Sequence, residues 1–402
     1  MTNKTGVTGA GVLSGVRVVD FGRYVAAPYC ATLLGYLGAD VIRVERIGGG
    51  EDRFIAPLSE DAGAVFLQTA CNKRSVCLSL KSAEGRDVRD RLIETADVVV
   101  SNFPPHAQRK AGMDYASLKA LRDDIILANV SSFGASGPLA TQGGFDGVGQ
   151  AMSGAMHTSG TPGNPAKAAA PYVDYSTAVL TAFGVMAALR ERDQSGRGQE
   201  IASSLLGTAL AVFNSHLIEE GALALGREGS GNRVQTSGPS DVLATRDGHV
   251  LVHCPGDAIF KRIATLIDRP EWLDDTRFAT DQSRGEWRDE LCAPLAQWCA
   301  LRTTQVALDE LSAAGVPAGP VLTPADALAH PQVDALGVLG QVLYPGAPAA
   351  APVADLPFSM SQSENGIRQR PPTPGEHTDQ VLEELGFDAQ RRRALREGGA
   401  VA

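Results

Sequence analysis

The stretch that most constrains the fold lies near the start of the chain, where two short apolar runs flank one helical pattern. Residues 16–20 (VRVVD) are almost wholly apolar, as expected of a strand covered on both faces of a parallel sheet. Pro28 suits the first turn of a helix, PYCATLLGYLG supplies its apolar face, Gly38 ends it, and residues 41–45 (VIRVE) read as a second strand. Strand, helix and strand with short connections form a βαβ unit, so the sheet is parallel and the fold is α/β. Such an opening invites a dinucleotide, with Glu45 as the ribose ligand. The turn DFGRYVAAP has no GxGxxG, and without those glycines the backbone cannot approach a pyrophosphate. A nicotinamide-dependent oxidoreductase is therefore the least favoured reading.

The alternation continues. Residues 75–80, 96–103 and 125–133 read as strands, and residues 82–95 and 114–121 as helices. The segments SSFGASGP (131–138) and GGFDGVG (143–149) are loops after a strand, where parallel sheets bind ligands. Asp174 stands directly before an apolar helical run over 175–192, which Gly196 and Gly198 stop. Residues 201–220 read as one further helix. Composition shifts near Gly221, and 226–241 is polar and rich in Gly and Ser. Beyond it, VLATRDGHVLVHC reads as a hairpin turning at Asp247–Gly248, followed by helices near 258–268, 286–300 and 303–314. The last segment holds a Pro/Ala-rich stretch (345–358) and a helix over 377–385. The expected organisation is a large domain with a parallel Rossmann-like sheet, built from residues 1–225 and a returning segment 326–402. A small α+β domain over 226–325 sits between them in the chain.

Composition excludes several classes. A formal charge of −10 with no offsetting basic tract argues against a nucleic-acid surface. Six scattered cysteines without CxxC spacing read as reduced thiols of a cytoplasmic protein, with neither a disulfide framework nor a metal site. Residues 1–15 lack the apolar core of a signal peptide and read as a short arm. The longest apolar stretches carry charges or fall short of the roughly 20 residues that cross a bilayer, so no membrane span is expected.

Asp174 admits two roles. An Asp before a helix ordinarily caps it by accepting a hydrogen bond from a free backbone N–H. A helix N-terminus also favours the ionised carboxylate, and an ionised carboxylate can act as a nucleophile.

The chain resembles the class III CoA-transferases, the family of formyl-CoA transferase, carnitine CoA-transferase and α-methylacyl-CoA racemase. The likeness is carried, in order and over nearly the whole length, by several motifs. They are GVRVVDFGRYVAAPYCATLLGYLGADVIRVE, NKRSVCLSLKSAEG (72–85), ADVVVSNF, VDYSTA with SGRGQ, AGVPAGP (314–320) and GEHTDQVLEELG (375–386). The resemblance implies that Asp174 is the nucleophile and that acyl-CoA thioesters and carboxylic acids are the small-molecule substrates. It implies no permanently bound cofactor, and an interlocked homodimer. It carries the CoA contacts to Arg43, Lys73, Arg74, Asn102, Phe103 and Arg109 or Lys110, and it adds Val25, Phe145 and Asp146, where members differ, to the binding residues. Racemase members have a His–Asp pair where this chain has Phe145–Asp146, and that His is one of two bases. Formyl-CoA transferase has Tyr–Glu there and a Gln at Val25. Racemase or epimerase activity is thus disfavoured, because proton exchange needs two placed bases. A non-catalytic CoA-binding paralogue is the alternative from another class. A dicarboxylate donor such as succinate falls within the family's range. His157, His249 and His253 are isolated, and Arg53, after GGGED, is a possible clamp for a carboxylate.

Overall fold

The computed structural model describes residues 11–402, so residues 1–10 of the expected N-terminal arm lie outside the described residues. The chain divides into two compact units. One comprises residues up to 153 with 169–217 and 336–402, and the other comprises 154–168 with 218–335.

The first unit is built on six strands: β1 (Arg17–Asp20), β2 (Asp40–Glu45), β3 (Lys73–Cys77), β4 (Val98–Ser101), β5 (Ile126–Ser131) and β6 (Glu200–Ser204). Their order is β3-β2-β1-β4-β5-β6, and every neighbouring pair is parallel. The chain therefore builds outward from β1 in one direction, then returns and builds outward in the other. The reversal between β1 and β4 opens a crevice at the C-terminal ends of those strands. Alternation along the strands supplies two cores, as the pleat requires. Val18, Val98, Val100 and Ile126 face the helices Ala26–Tyr36 and Tyr172–Ser195. Val19, Ile42, Val99 and Leu127 face Val88 and Leu92 of the helix Ala83–Glu94.

The sixth strand corrects one expectation. Residues 201–220 were read as a single helix, but Glu200–Ser204 pairs with Leu127–Ser131, and helices follow at Leu205–Val212 and Asn214–Leu223. The punctuation is Ser204, whose side chain accepts from the Gly207 N–H and caps the helix that begins after it. The helix Tyr172–Ser195 is long and apolar enough to cross a bilayer by those measures alone. Half of its most apolar stretch is buried, and Val173, Ala178, Val185 and Ala188 belong to the first core.

The second unit carries an antiparallel sheet of β7 (Asp241–Ala244), β8 (His249–Val252) and β9 (Ala318–Pro320). The turn between β7 and β8 closes where Thr245 N–H donates to Gly248 O at 2.9 Å. Val250, Phe260, Trp272, Leu295 and Leu311 form its core with helices Asp257–Leu266, Arg288–Ala300 and Thr304–Ala313. All six cysteines of the chain are free and buried.

Beneath the crevice of the first unit lies a buried charge cluster. Arg53 is fully buried and donates to both carboxylate oxygens of Glu45, at 2.6 and 2.8 Å. Its guanidinium lies over the Phe66 ring at 3.9 Å, and a further N–H reaches Pro372 O at 3.1 Å. Arg43 donates to Asp52 at 2.6 Å and lies 3.3 Å from Glu45. Lys73 donates to Asp20 at 2.7 Å and to Pro28 O at 2.6 Å. Burial alone would raise the Glu45 carboxyl, yet Arg43 and Arg53 hold it down at about 2. Removing one partner leaves the other charge buried and unpaired, which costs more than the pair gains. Arg53→Met should therefore destabilise the protein by about 3–5 kcal/mol, read from the urea midpoint, and a loss below about 1 kcal/mol would refute that role.

Candidate active site

The crevice is shaped by the loops that leave β1 and β4. The Arg23 N–H donates to Asn102 Oδ1 at 3.0 Å, and the Asn102 amide donates back to Arg23 O at 2.9 Å, so the two loops are tied together. Gly22 makes the tight departure from β1 possible, because a Cβ there would lie 2.8 Å from the Ala27 Cβ and from Asp20 Oδ1. Tyr24 takes a left-handed φ of 64° and donates its N–H to Asp52 Oδ2 at 3.0 Å. A bulky residue in that region costs on the order of 1–3 kcal/mol and persists where its surroundings hold it.

Two cavities open here and share Arg23, Leu80 and Phe103. The smaller, about 400 Å³, has Arg43, Arg46, Ser79 and Lys81 in its wall. The larger, about 710 Å³, lies over β4 and β5 and includes Asp174, Val25, Asn102, Phe145 and Leu205. Gly143 and Gly144 of the loop after β5 also line it.

Asp174 does not stand before its helix. The helix begins at Tyr172, Pro171 is its cap residue and makes no side-chain hydrogen bond, and Asp174 lies within the first turn. The cap comes from elsewhere in the sequence. Asp146 Oδ1 accepts the N–H of Val173 at 2.8 Å and of Asp174 at 3.1 Å, while Oδ2 accepts the Gln150 amide at 2.6 Å. Two of the orphan donors of the helix start therefore end on one buried carboxylate. The expected ionisation of Asp174 also changes. Burial, and then the negative charge of Asp146, push the Asp174 carboxyl up to about 7. The helix end works in the opposite direction, but it is worth only about 0.3–1 kcal/mol, less than one pKa unit.

The expected binding residues separate into groups. Val25, Asn102, Phe103 and Phe145 line the larger cavity with Asp174. Arg43 reaches the wall of the smaller one from below, engaged with Asp52 and Glu45. Asp146 is 6% exposed and acts through the helix start. Lys73 and Arg74 line neither cavity. Both lie at the start of β3, whereas the crevice is at the strand's end. Lys73 is buried against Asp20, and burial lowers its ammonium while Asp20 opposes that. Arg74 donates to Asp40 and Glu384, both at 2.7 Å. Arg109 and Lys110 are exposed on the helix Pro105–Lys110, outside both cavity walls. Arg53, read as a carboxylate clamp, is committed to Glu45 inside the protein.

Sequence reasoning missed Arg23, Arg46, Ser79, Leu80 and Lys81. The signal was available in the rule that ligands bind beyond the carboxyl ends of parallel strands, which points past Cys77 and not to NKRS. It missed Tyr24 because nothing in the turn announces a left-handed tyrosine. Among the described residues, no cluster of three or more His, Cys, Asp or Glu side chains is placed to hold a metal ion.

Comparison with known proteins agrees with this architecture. A family model described as CoA-transferase family III matches residues 13–378. An acyl-CoA transferase of Fusarium pseudograminearum is 32% identical, over 97% of this chain and 88% of its own length. A succinate–glutarate CoA-transferase of Agrobacterium fabrum is 33% identical, over 93% of this chain and 95% of its own. The crystal structure of a CaiB/BaiF family protein from Brucella suis superposes with a TM-score of 0.82 at 31% identity, covering 94% of this chain and all of that one. With a family model spanning nearly the whole sequence and relatives of like length, the chain belongs to CoA-transferase family III.

Proposed function

We propose that this enzyme moves CoA from an acyl-CoA to a carboxylic acid through a covalent intermediate on Asp174. The observation that carries the reading is a partly buried carboxyl in the wall of a switch-point cavity, its backbone tied by Asp146. The Asp174 carboxylate attacks the thioester carbonyl, the C–S bond breaks, and a mixed anhydride and CoA thiolate result. The thiolate attacks the aspartyl carbonyl, which leaves an aspartyl-CoA thioester and releases the donor acid. The acceptor carboxylate attacks that thioester, giving a new mixed anhydride and the thiolate again. Attack of the thiolate on the acyl carbonyl then yields the new acyl-CoA and restores Asp174. The covalent route divides one difficult exchange into easier steps.

The smaller cavity, with Arg23, Arg46 and Lys81 in its wall, is suited to the phosphorylated nucleotide end of CoA. The arm then passes Phe103 toward Asp174. Gly143 and Gly144 line the same cavity as Asp174, and their backbone N–H groups are candidates to meet the developing oxyanion. Relatives named for exchange between succinyl-CoA and other acids support thioester exchange as the reaction class. Phe145, standing where racemase members of the family have a His, argues against proton exchange. We read the assembly as an interlocked homodimer. Val179, Leu180 and Phe183 leave an apolar strip exposed on the long helix, which a second copy would cover. Free, buried cysteines support a cytoplasmic setting.

Asp174→Ala should lower exchange by at least about 10³-fold, and near-normal turnover would rule the mechanism out. The pH profile tests the site's electrostatics. The nucleophile is the carboxylate, and its carboxyl is raised to about 7. Below that pH kcat/KM should fall tenfold per unit, and above it the profile should level off. Asp146→Asn keeps an oxygen for the two N–H groups but removes the negative charge. It should move the acid limb down by on the order of one unit, whereas an unshifted limb would exclude Asp146 as the cause.

A further inference from the structure

We infer that the acyl group handled at Asp174 is apolar, that of a branched or aromatic monocarboxylic acid, and that Tyr24 and Phe145 select it. This rests on the reading of Asp174 as the CoA-transferring nucleophile and names the class of acid.

Phe145 is a large aromatic side chain left 60% exposed in the wall of a cavity. It immediately precedes Asp146, whose carboxylate holds the backbone of Asp174, so its ring is anchored within one residue of the reacting group's support. Tyr24 meets it edge to face, with ring centroids 5.2 Å apart and planes at 85°. The left-handed backbone that presents Tyr24 is held by Asp52 and not by local sequence preference. Val25, Val148 and Leu205 extend the same apolar wall. Such a surface gains by covering hydrocarbon, and apart from the Tyr24 hydroxyl it presents no polar side-chain group.

The charges lead to the same class of acid. Among the described residues lining this cavity, Arg23 is the only cationic side chain, and its guanidinium donates to Glu51 at 2.8 Å. The serines are committed as well. Ser131 Oγ donates to Ser203 O at 3.1 Å, and Ser132 Oγ donates to Gly144 O at 3.0 Å. A second carboxylate on the acyl group would enter a wall that already holds Asp174, with Asp146 beneath it, and the one cation of that wall, Arg23, already faces the Glu51 carboxylate. A branched or aromatic acyl group meets no such cost. At about 710 Å³ the cavity has the volume of an ordinary small-molecule site, enough for an acyl group together with the end of the CoA arm.

The test is a thioester-exchange matrix with the full-length purified protein. Isovaleryl-CoA, phenylacetyl-CoA and succinyl-CoA serve as donors, and isovalerate, phenylacetate, succinate and glutarate as acceptors. The apolar pairs should exceed the dicarboxylate pairs by at least about 10-fold in kcat/KM, the scale on which a shaped apolar pocket discriminates. Phe145→Ser should shrink that ratio by about 10-fold. A wild-type preference for dicarboxylates overturns the inference and leaves the Asp174 reading standing. So does a Phe145→Ser variant that loses all pairs equally, since the ring would then serve the CoA arm common to every substrate. Absence of exchange with every pair, from protein that still binds CoA, overturns the Asp174 reading itself.

Discussion

Two backbone N–H groups at the start of a long helix end on the carboxylate of Asp146, and the geometry of the site follows from that contact. A buried helix start needs partners for its free donors. Pro171 offers no side-chain hydrogen bond, so Asp146, 27 and 28 positions before Val173 and Asp174, accepts from both. One carboxylate thereby fixes where the helix begins and how Asp174 enters the cavity. It also brings a second negative charge near the first, and together with burial this lifts the Asp174 carboxyl to about 7. A carboxyl with a raised pKa is more basic and less often ionised near neutrality, so on the proposed reading of Asp174 as the nucleophile its chemistry is gated by pH in the range where cells work.

The crevice itself stands on a buried balance of charge. Asp20, Glu45 and Asp52 face Arg43, Arg53 and Lys73 beneath the switch point, three of each sign, drawn from the ends of β1 and β2, the turn Glu51–Phe54 and the start of β3. Buried ions are stable only when paired and hydrogen-bonded. This cluster fixes the loop that carries Asp52, and Asp52 in turn holds Tyr24 in its left-handed turn. The strained tyrosine in the cavity wall is thus supported from below by charge pairing. The basic groups left at the smaller cavity, Arg46 and Lys81 among them, lie toward solvent, where an anionic ligand can meet them.

Much of this was legible in the sequence, and for identifiable reasons. The runs VRVVD and VIRVE read as buried parallel strands, which they are, and the first turn lacks the glycines of the dinucleotide-binding fingerprint. The alternation fixed a parallel sheet, and family motifs pointed to Asp174. Residues 200–204 were misread because EIASS is short and half exposed, so its pairing with β5 leaves no apolar signature. The roles of Lys73 and Arg74 depend on which end of β3 faces the crevice, and charge alone cannot say. Asp146 as the helix cap, and Tyr24 against Phe145, are contacts between distant segments that local patterns do not encode.

The central claim is that the Asp174 carboxylate becomes covalently acylated during turnover. It is tested most directly by incubating the protein with an acyl-CoA substrate, quenching with hydroxylamine and mapping the modified peptide by mass spectrometry. The account predicts a hydroxamate at Asp174 that appears only when the thioester is present and disappears in Asp174→Asn. Full exchange activity with an unmodified Asp174, or a hydroxamate at another carboxylate, would contradict it.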